Sequence, residues 1–240
     1  MNASLKVVSL LLSYPTTVLQ GAGEEIAHVL ASDRLVGDRQ KFALEALAAD
    51  IANRDIYDAQ ERYVLLFDRT RALSLHLFEH VHGESRDRGQ AMVDLMKMYD
   101  DHGFEVDARE LPDYLPMFLE FLSVIPAAEA RELLGQTLHI IPALGERLKK
   151  RDSIYANAFS ALEDIARGEA DRELLRALLD QPEDDPDDLE ALDRVWQEEV
   201  VTFGGNAGEN ACGPDRLRTQ LRAASRRPAD ASPAVSVQEA

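Results

Sequence analysis

Three side chains that could bind a metal lie within five residues of one another. His76, Glu79 and His80 form the pattern H-x-x-E-H, in which two histidines one helical turn apart bind zinc and the glutamate activates a water molecule. Such a site needs a third protein ligand, and no later helical motif supplies one. We therefore expect no metal and no cofactor, keep a zinc-dependent hydrolase only as the alternative function, and favour structural hydrogen bonds of Glu79 and His80 beside a turn at Gly83.

Other catalytic patterns are missing from the sequence. It has no Gly-x-Ser-x-Gly, P-loop or dinucleotide-binding glycine pattern, so a catalytic set of residues is not expected. Cys212 is the only cysteine, which excludes an internal disulfide and a zinc site built from cysteines and fits a reducing compartment. We expect a cytoplasmic protein that is not an enzyme.

The charge of the chain limits its partners. With 44 acidic and 26 basic residues, the net charge is −18, which disfavours binding to nucleic acid or anionic lipid and favours a basic partner. Five arginines and four acidic residues follow residue 203, so that end carries +1 and residues 1–203 carry −19. No apolar run reaches the length of about 18 residues that a membrane span needs, so no direct membrane insertion is expected.

Helical periodicity dominates the chain. Apolar residues recur at three- and four-residue steps in three stripes: Ile56, Ala59, Tyr63 and Phe67; Leu111, Leu115, Phe118, Leu119 and Leu122; and Leu134, Leu138, Ile141, Leu144 and Leu148. Pro142 is expected to kink the third helix. Glycine and proline breakers divide the chain into about nine or ten helices with no strand, and composition changes after residue 203. The sequence predicts an all-α protein with one globular multi-helix domain, 1–203, and a disordered tail, 204–240.

Two segments allow both a binding and a structural interpretation. Glu84 and Arg86 belong to an alternating charged run at a helix start, which could contact a partner or pair with itself in solvent. Four of the five methionines lie between residues 92 and 117 among several aromatic residues, and Met117 is one of them. Flexible thioethers suit a groove for an amphipathic peptide helix, but they also suit ordinary core packing.

Several motifs together resemble the NarJ type of redox-enzyme maturation chaperone. They are the string Tyr63-Val-Leu-Leu-Phe-Asp-Arg69, the stretch from Leu75 to Met92 and the string Arg109-Glu-Leu-Pro-Asp-Tyr-Leu-Pro116, within a similarity over about residues 4–203. The wider superfamily, which includes the TorD and DmsD proteins, carries a Tyr-x-x-Leu-Phe element and an E-P-x-D-H element. These map onto Tyr63, Leu66 and Phe67, and onto Glu110, Asp113 and Tyr114. Here the proline is displaced by one position to residue 112, and a tyrosine replaces the histidine.

The resemblance implies a cofactor-free assembly chaperone. It would bind the N-terminal segment of the immature catalytic (alpha) subunit of respiratory nitrate reductase, keep it competent for molybdenum cofactor insertion, delay membrane docking and then leave. Molybdenum cofactor biosynthesis proteins stay open as further partners. The candidate peptide-binding residues are Tyr63, Leu66, Phe67, His80, Glu84, Arg86, Glu110, Asp113, Tyr114 and Met117. Asp113 is expected at an exposed acidic rim, where its loss would not change the melting temperature.

Overall fold

The computed structural model describes residues 2–69, 71–82, 86–106 and 110–181. Across these ranges the chain forms twelve α-helices and one short 3₁₀ turn, and extended segments pair only at the isolated bridge between His76 and Tyr114. The all-α prediction is confirmed, and two helices of only five residues account for the excess over the nine or ten predicted. The predicted tail, 204–240, and its boundary lie outside the described residues.

The helices alternate with short turns from the first described residues to the last. They are α1 Ala3–Leu11, α2 Thr17–Gly21, α3 Gly23–Ser32, α4 Asp38–Asn53, α5 Ile56–Phe67, α6 Leu77–Val81, α7 Arg86–Asp101, α8 Leu115–Val124, α9 Ala127–Gly135, α10 Ile141–Lys150, α11 Ala156–Ile165 and α12 Arg172–Leu179, with the 3₁₀ turn Arg71–Leu73 between α5 and α6. None of these helices is long and apolar enough to cross a membrane.

Helix α1 is fixed against α8, and α11 packs between α4 and α10. The side-chain amide of Asn2 donates to the carbonyls of Leu122 and Ile125 at 2.8 and 3.0 Å, and its backbone N–H donates to the carbonyl of Ser123 at 2.8 Å. The last carbonyls of a helix have no partner within it, so Asn2 satisfies those of α8 while placing the start of α1 beside them.

Helix α5 confirms the first predicted stripe. Asp55 caps it by accepting from the backbone N–H of Tyr57 at 2.9 Å, and the helix runs from Ile56 to Phe67 with Tyr63 and Phe67 buried. The second stripe begins later than predicted, because α8 starts at Leu115. The apolar period extends across a segment that the proline at 112 keeps out of the helix.

The expectation that Pro142 kinks a continuous helix is wrong. Helix α9 ends at Gly135, and α10 begins at Ile141 with Pro142 in its first turn. A first-turn residue needs no N–H donor for the helix, so proline is tolerated there. At the end of α9, a Cβ on Gly135 would lie 1.8 Å from the carbonyl oxygen of Arg167, which only glycine avoids.

A short antiparallel contact joins the start of α6 to the start of α8. The backbone N–H of Leu77 donates to the carbonyl of Asp113 at 3.0 Å, and that of Leu115 donates to the carbonyl of Leu75 at 2.8 Å. This contact brings together two sequence segments that are almost forty residues apart.

Arg147 of α10 is a buried charge that links two further elements. Its side chain is 2% exposed, and Nη1 donates to the carbonyl of Ala72 in the 3₁₀ turn at 2.7 Å. Nη2 donates to the carbonyl of Leu178 in α12. A guanidinium is costly to bury without hydrogen-bond acceptors, so these carbonyls hold the 3₁₀ turn and α12 to α10.

Candidate functional site

A cleft of about 560 Å³ opens where the end of α1, helix α5, the 3₁₀ turn and the α6–α8 contact meet. We call it the first cleft. Its lining residues are Tyr14, Tyr63, Val64, Phe67, Asp68, Arg69, Arg71, Ser74, Leu75, His76, Glu79, Glu110 and Tyr114.

The floor of the first cleft is aromatic. Tyr63 and Phe67 lie one turn apart on α5, so their rings are neighbours with centroids 5.0 Å apart. Behind them, Tyr155 meets Phe67 edge to face at 5.1 Å, and at the entrance Tyr14 meets Tyr63 edge to face at 5.6 Å. Edge-to-face contact is a favourable geometry for aromatic pairs, so these contacts stabilise the packing of the floor.

One wall of the first cleft is formed by Glu110 and Tyr114. A hydrogen bond between two tyrosine hydroxyls connects the floor to this wall. The hydroxyl of Tyr63 donates to the carbonyl of Leu12 at 2.9 Å and lies 2.8 Å from the hydroxyl of Tyr114. Burial raises the pKa of both tyrosines, so both stay protonated near neutral pH. The Tyr-x-x-Leu-Phe and Glu-x-x-Asp-Tyr elements are therefore joined in space.

Asp113 is completely buried, and the expectation of an exposed rim carboxylate is wrong. One carboxylate oxygen accepts from the backbone N–H of Phe78 at 3.0 Å at the start of α6, and the other accepts from Nδ1 of His76 at 3.2 Å. The hydrogen bond to Asp113 raises the pKa of His76, and burial opposes that change. Asp113 does not line the first cleft itself but orients α6 and His76, and His76 lines that cleft.

The H-x-x-E-H residues have separate structural partners. His80 donates from Nε2 to the carbonyl of Ser74 at 2.8 Å, and burial lowers its pKa. Glu79 pairs with Arg88 of α7 at 3.3 Å, and His76 precedes α6. Within the described ranges, no group of three or more potential ligands could hold a metal. The predicted structural hydrogen bonds of Glu79 and His80 are confirmed, while the turn at residue 83 lies outside the described residues.

A second cleft of about 350 Å³ lies on the other side of the same wall. Its lining residues are Ser9, Ser13, Phe104, Glu105, Val106, Glu110, Tyr114, Pro116, Met117 and Glu120. Met117 is 8% exposed there. The neighbouring aromatic residues Tyr99 and Phe121 are fully buried with centroids 4.8 Å apart, so this part of the methionine-aromatic segment packs in the core.

The structure brings half of the predicted binding residues to the two clefts. Those that line one or both are Tyr63, Phe67, Glu110, Tyr114 and Met117. Leu66 packs against the core, and neither His80 nor Asp113 lines a cleft. Glu84 lies outside the described residues, and of Arg86 only its place at the start of α7 is described.

Sequence reasoning missed Tyr14 and Val64 at the rim of the first cleft. Tyr14 is 47% exposed and Val64 is 37% exposed, and both line the first cleft. Helix α1 ends at Leu11, and Pro15 directly follows Tyr14. This proline was the available sequence signal that Tyr14 lies in a break between helices and not on a core-facing stripe.

Comparison with known proteins places the chain in a family. The model of the nitrate reductase delta subunit family matches residues 37–161. The chain is 42% identical over 219 residues to the nitrate reductase molybdenum cofactor assembly chaperone NarJ of Escherichia coli (strain K12), covering 91% of each protein. It is 41% identical over 199 residues to the probable assembly chaperone NarW of the same strain, covering 83% of each. A probable NarJ of Bacillus subtilis (strain 168) is 37% identical over 109 residues, which are 44% of this chain and 59% of that protein. The chain belongs to the nitrate reductase delta subunit family, and the resemblance to NarJ-type chaperones is confirmed.

Proposed function

We propose that this member of the nitrate reductase delta subunit family is an assembly chaperone that binds the N-terminal segment of the immature catalytic subunit of nitrate reductase in the first cleft. The three relatives described above are named as assembly chaperones or probable assembly chaperones, which supports a chaperone that is not an enzyme. The H-x-x-E-H residues have structural partners, so nothing in the geometry favours the hydrolase.

One observation carries the assignment of the site. Tyr63 and Phe67 from one sequence element and Glu110 and Tyr114 from the other line the same cleft, although more than forty residues separate the elements. An aromatic floor beside a carboxylate offers burial to apolar side chains and attraction to basic ones, as a groove for an amphipathic peptide requires.

The strongly acidic body of the chain supports the same partner. A net charge of −18 attracts a basic segment over distances up to about the Debye length of 8–10 Å and speeds encounter. Apolar contacts with the floor then hold the segment, since they are insensitive to salt screening. Electrostatics in this proposal sets the association rate more than the final affinity.

Binding of this kind gives the chaperone its place in assembly. While the N-terminal segment occupies the cleft, the catalytic subunit stays competent for molybdenum cofactor insertion and does not dock at the membrane. After loading, the chaperone leaves and is not part of the final enzyme. The single cysteine fits action in the cytoplasm, and molybdenum cofactor biosynthesis proteins stay open as further partners.

Peptide titration tests the site. A synthetic peptide with the N-terminal sequence of the catalytic subunit should bind the full chain, and Tyr14→Ala should weaken it roughly tenfold through lost aromatic contact. Tyr57→Ala is the matched control, because Tyr57 is 77% exposed on α5 and does not line either cleft. Equal effects of the two substitutions, measured by calorimetry, would place the binding surface elsewhere.

A cellular measurement tests the chaperone role. In cells without this protein, the catalytic subunit should accumulate with little molybdenum, and the purified mature enzyme should never contain the chain. Affinity capture followed by molybdenum analysis of the captured subunit distinguishes this role from that of a permanent subunit. A fully loaded enzyme in the absence of the protein would contradict the proposal.

A further inference from the structure

The two clefts have a common wall. Glu110 and Tyr114 line both of them, with the aromatic floor on one side and Met117 and Val106 on the other. A bound segment that fills the first cleft and continues into the second must therefore pass these two side chains. Their hydrogen-bonding state determines which group can be accommodated at the crossing.

The direction of the hydrogen bonds at Tyr114 follows from the number of protons available. Tyr63 has one hydroxyl proton and two neighbours, the carbonyl of Leu12 at 2.9 Å and the hydroxyl of Tyr114 at 2.8 Å. A carbonyl can only accept, so the proton of Tyr63 goes to Leu12. Tyr114 must then donate to Tyr63, and its own oxygen is left to act as an acceptor toward a ligand.

The second group on the wall is also an acceptor. The carboxylate of Glu110 has no proton to donate when ionised, so Glu110 and Tyr114 together offer oxygen acceptors and no donor. A hydroxyl or amide of a ligand could satisfy one of them, but a basic side chain presents several donors and a positive charge beside the carboxylate.

The charges around the two clefts indicate on which side of the wall a basic side chain of a ligand would bind. The first cleft is mixed, since Arg69, Arg71 and His76 line it together with carboxylates. All the acidic and basic side chains that line the second cleft, within the described ranges, are glutamates: Glu105, Glu110 and Glu120. Lys6 of α1 pairs with Glu120, so among the described residues that line this cleft Glu105 and Glu110 contribute most of the remaining negative charge.

We infer that the common wall is a subsite for one basic side chain of the bound reductase segment, which enters the second cleft and donates to Glu110 and to the oxygen of Tyr114. This inference rests on the proposed function. The aliphatic part of that side chain lies along Val106 and Met117, as long basic side chains do on apolar surface. The subsite fixes the register of the segment, because only one basic residue can occupy the wall while apolar residues fill the first cleft.

A double-mutant cycle between protein and peptide tests the subsite. Each basic residue of the synthetic N-terminal peptide is replaced in turn by glutamine, and each peptide is titrated against the full-length protein and its Glu110→Gln variant. Glu110→Gln should weaken the unmodified peptide roughly five- to tenfold. For one peptide position this loss should disappear, because the partner of Glu110 is already missing. Tyr114→Phe should show coupling to the same position.

Glu61→Gln is the matched control. It removes the same charge from an exposed position on α5 that does not line either cleft, so it should change affinity less than twofold at every peptide position. Thermal denaturation of both variants should match the parent protein, since neither residue is in the core.

The outcomes separate the subsite from the function on which it rests. In one outcome the peptide binds and Tyr14→Ala weakens its binding, while the effect of Glu110→Gln on affinity adds to the effect of every peptide substitution. In that case the subsite is wrong and the proposed function stands. If Glu61→Gln and Glu110→Gln weaken binding equally, only long-range attraction operates and the subsite is again wrong. If the peptide does not bind the parent protein, both proposals fail.

Discussion

The floor and the rim of the first cleft are built in different ways. Tyr63 and Phe67 on the floor are each 6% exposed and belong to the hydrophobic core. Tyr14 and Val64 on the rim are largely outside the core. Residues of the floor therefore contribute to stability and to the shape of the site together, whereas residues of the rim can contribute to binding alone.

This contrast matters for mutational evidence. A substitution on the floor that abolishes binding does not show contact with a partner, because the same substitution removes core packing or a buried hydrogen bond. Rim substitutions give the cleaner test, provided that the denaturation midpoint is measured beside the affinity. The expected effects on stability decrease from the buried groups to the exposed ones.

The largest effect is expected at Asp113. Asp113→Ala removes two partly buried hydrogen bonds and leaves the N–H of Phe78 without its acceptor, so the free energy of unfolding should fall by about 3 kcal/mol. Asp113→Asn can still accept from Phe78 and should lose less. Urea denaturation measures both, with exposed Asp100→Ala on α7 as the control. An unchanged midpoint in Asp113→Ala would mean that the carboxylate is exposed after all.

Loss of the Tyr63 hydroxyl should lower the free energy of unfolding more than loss of the Tyr114 hydroxyl. Tyr63→Phe leaves two groups without a partner, the carbonyl of Leu12 and the hydroxyl of Tyr114, and should cost about 1–2 kcal/mol. Tyr114→Phe removes only the donor to Tyr63 and should cost about half as much. The same denaturation experiment compares them, and a larger loss in Tyr114→Phe would reverse the assignment of donors.

A smaller, pH-dependent effect is expected at His76. Its pKa in the folded protein is raised above the value of about 6.5 in the unfolded chain, chiefly by the hydrogen bond to Asp113. The protonated form therefore stabilises the fold below pH 6.5, and this contribution is lost as the pH rises through the raised pKa. The stability difference between the parent protein and His76→Gln should shrink from pH 5.5 to pH 8.5. The pKa of His80 is lowered, so its contribution to stability changes with pH in the opposite direction, but His80 is present in both proteins and its contribution cancels. A stability difference between the two proteins that does not change with pH would contradict the prediction.

The smallest effect on stability is expected at the rim. Val64→Gln places a better helix former than valine on α5, and the free energy of unfolding should change by no more than about 0.5 kcal/mol. Affinity for the reductase peptide should nevertheless fall, since the substitution removes apolar surface from the first cleft. Val93→Gln on α7 is the matched control, with Val93 61% exposed and outside both clefts. Loss of stability without loss of affinity in Val64→Gln would contradict the distinction between floor and rim.

Local periodicity was sufficient to predict the element that carries the floor. Ala59, Tyr63 and Phe67 recur at helical spacing, and their common face is buried in α5 as predicted. The same rule was wrong in the Leu134 to Leu148 stripe, because an apolar period continues across the break between α9 and α10. Proline at the start of a helix and proline within one give the same local pattern.

The burial of Asp113 could not be read from the sequence. A carboxylate between a proline and a tyrosine looks exposed, and its partners His76 and Phe78 lie 35 or more positions earlier in the chain. Only the α6–α8 contact brings them together, and no local propensity encodes it. The family motif identified Asp113 as a site residue but did not distinguish direct contact with a partner from a supporting role.

The buried guanidinium of Arg147 has a consequence for biosynthesis. Its carbonyl partners, Ala72 and Leu178, are more than one hundred residues apart, and the first of them belongs to the 3₁₀ turn that helps to line the first cleft. A ribosome adds about 5–20 residues per second, so the turn is synthesised several seconds before α12 can supply its carbonyl. Until then, Arg147 lacks one of its acceptors. The hydrogen bonds that hold the 3₁₀ turn to α10 and α12 are thus complete only late in synthesis, and a nascent chain that ends before α12 already contains every residue that lines the two clefts.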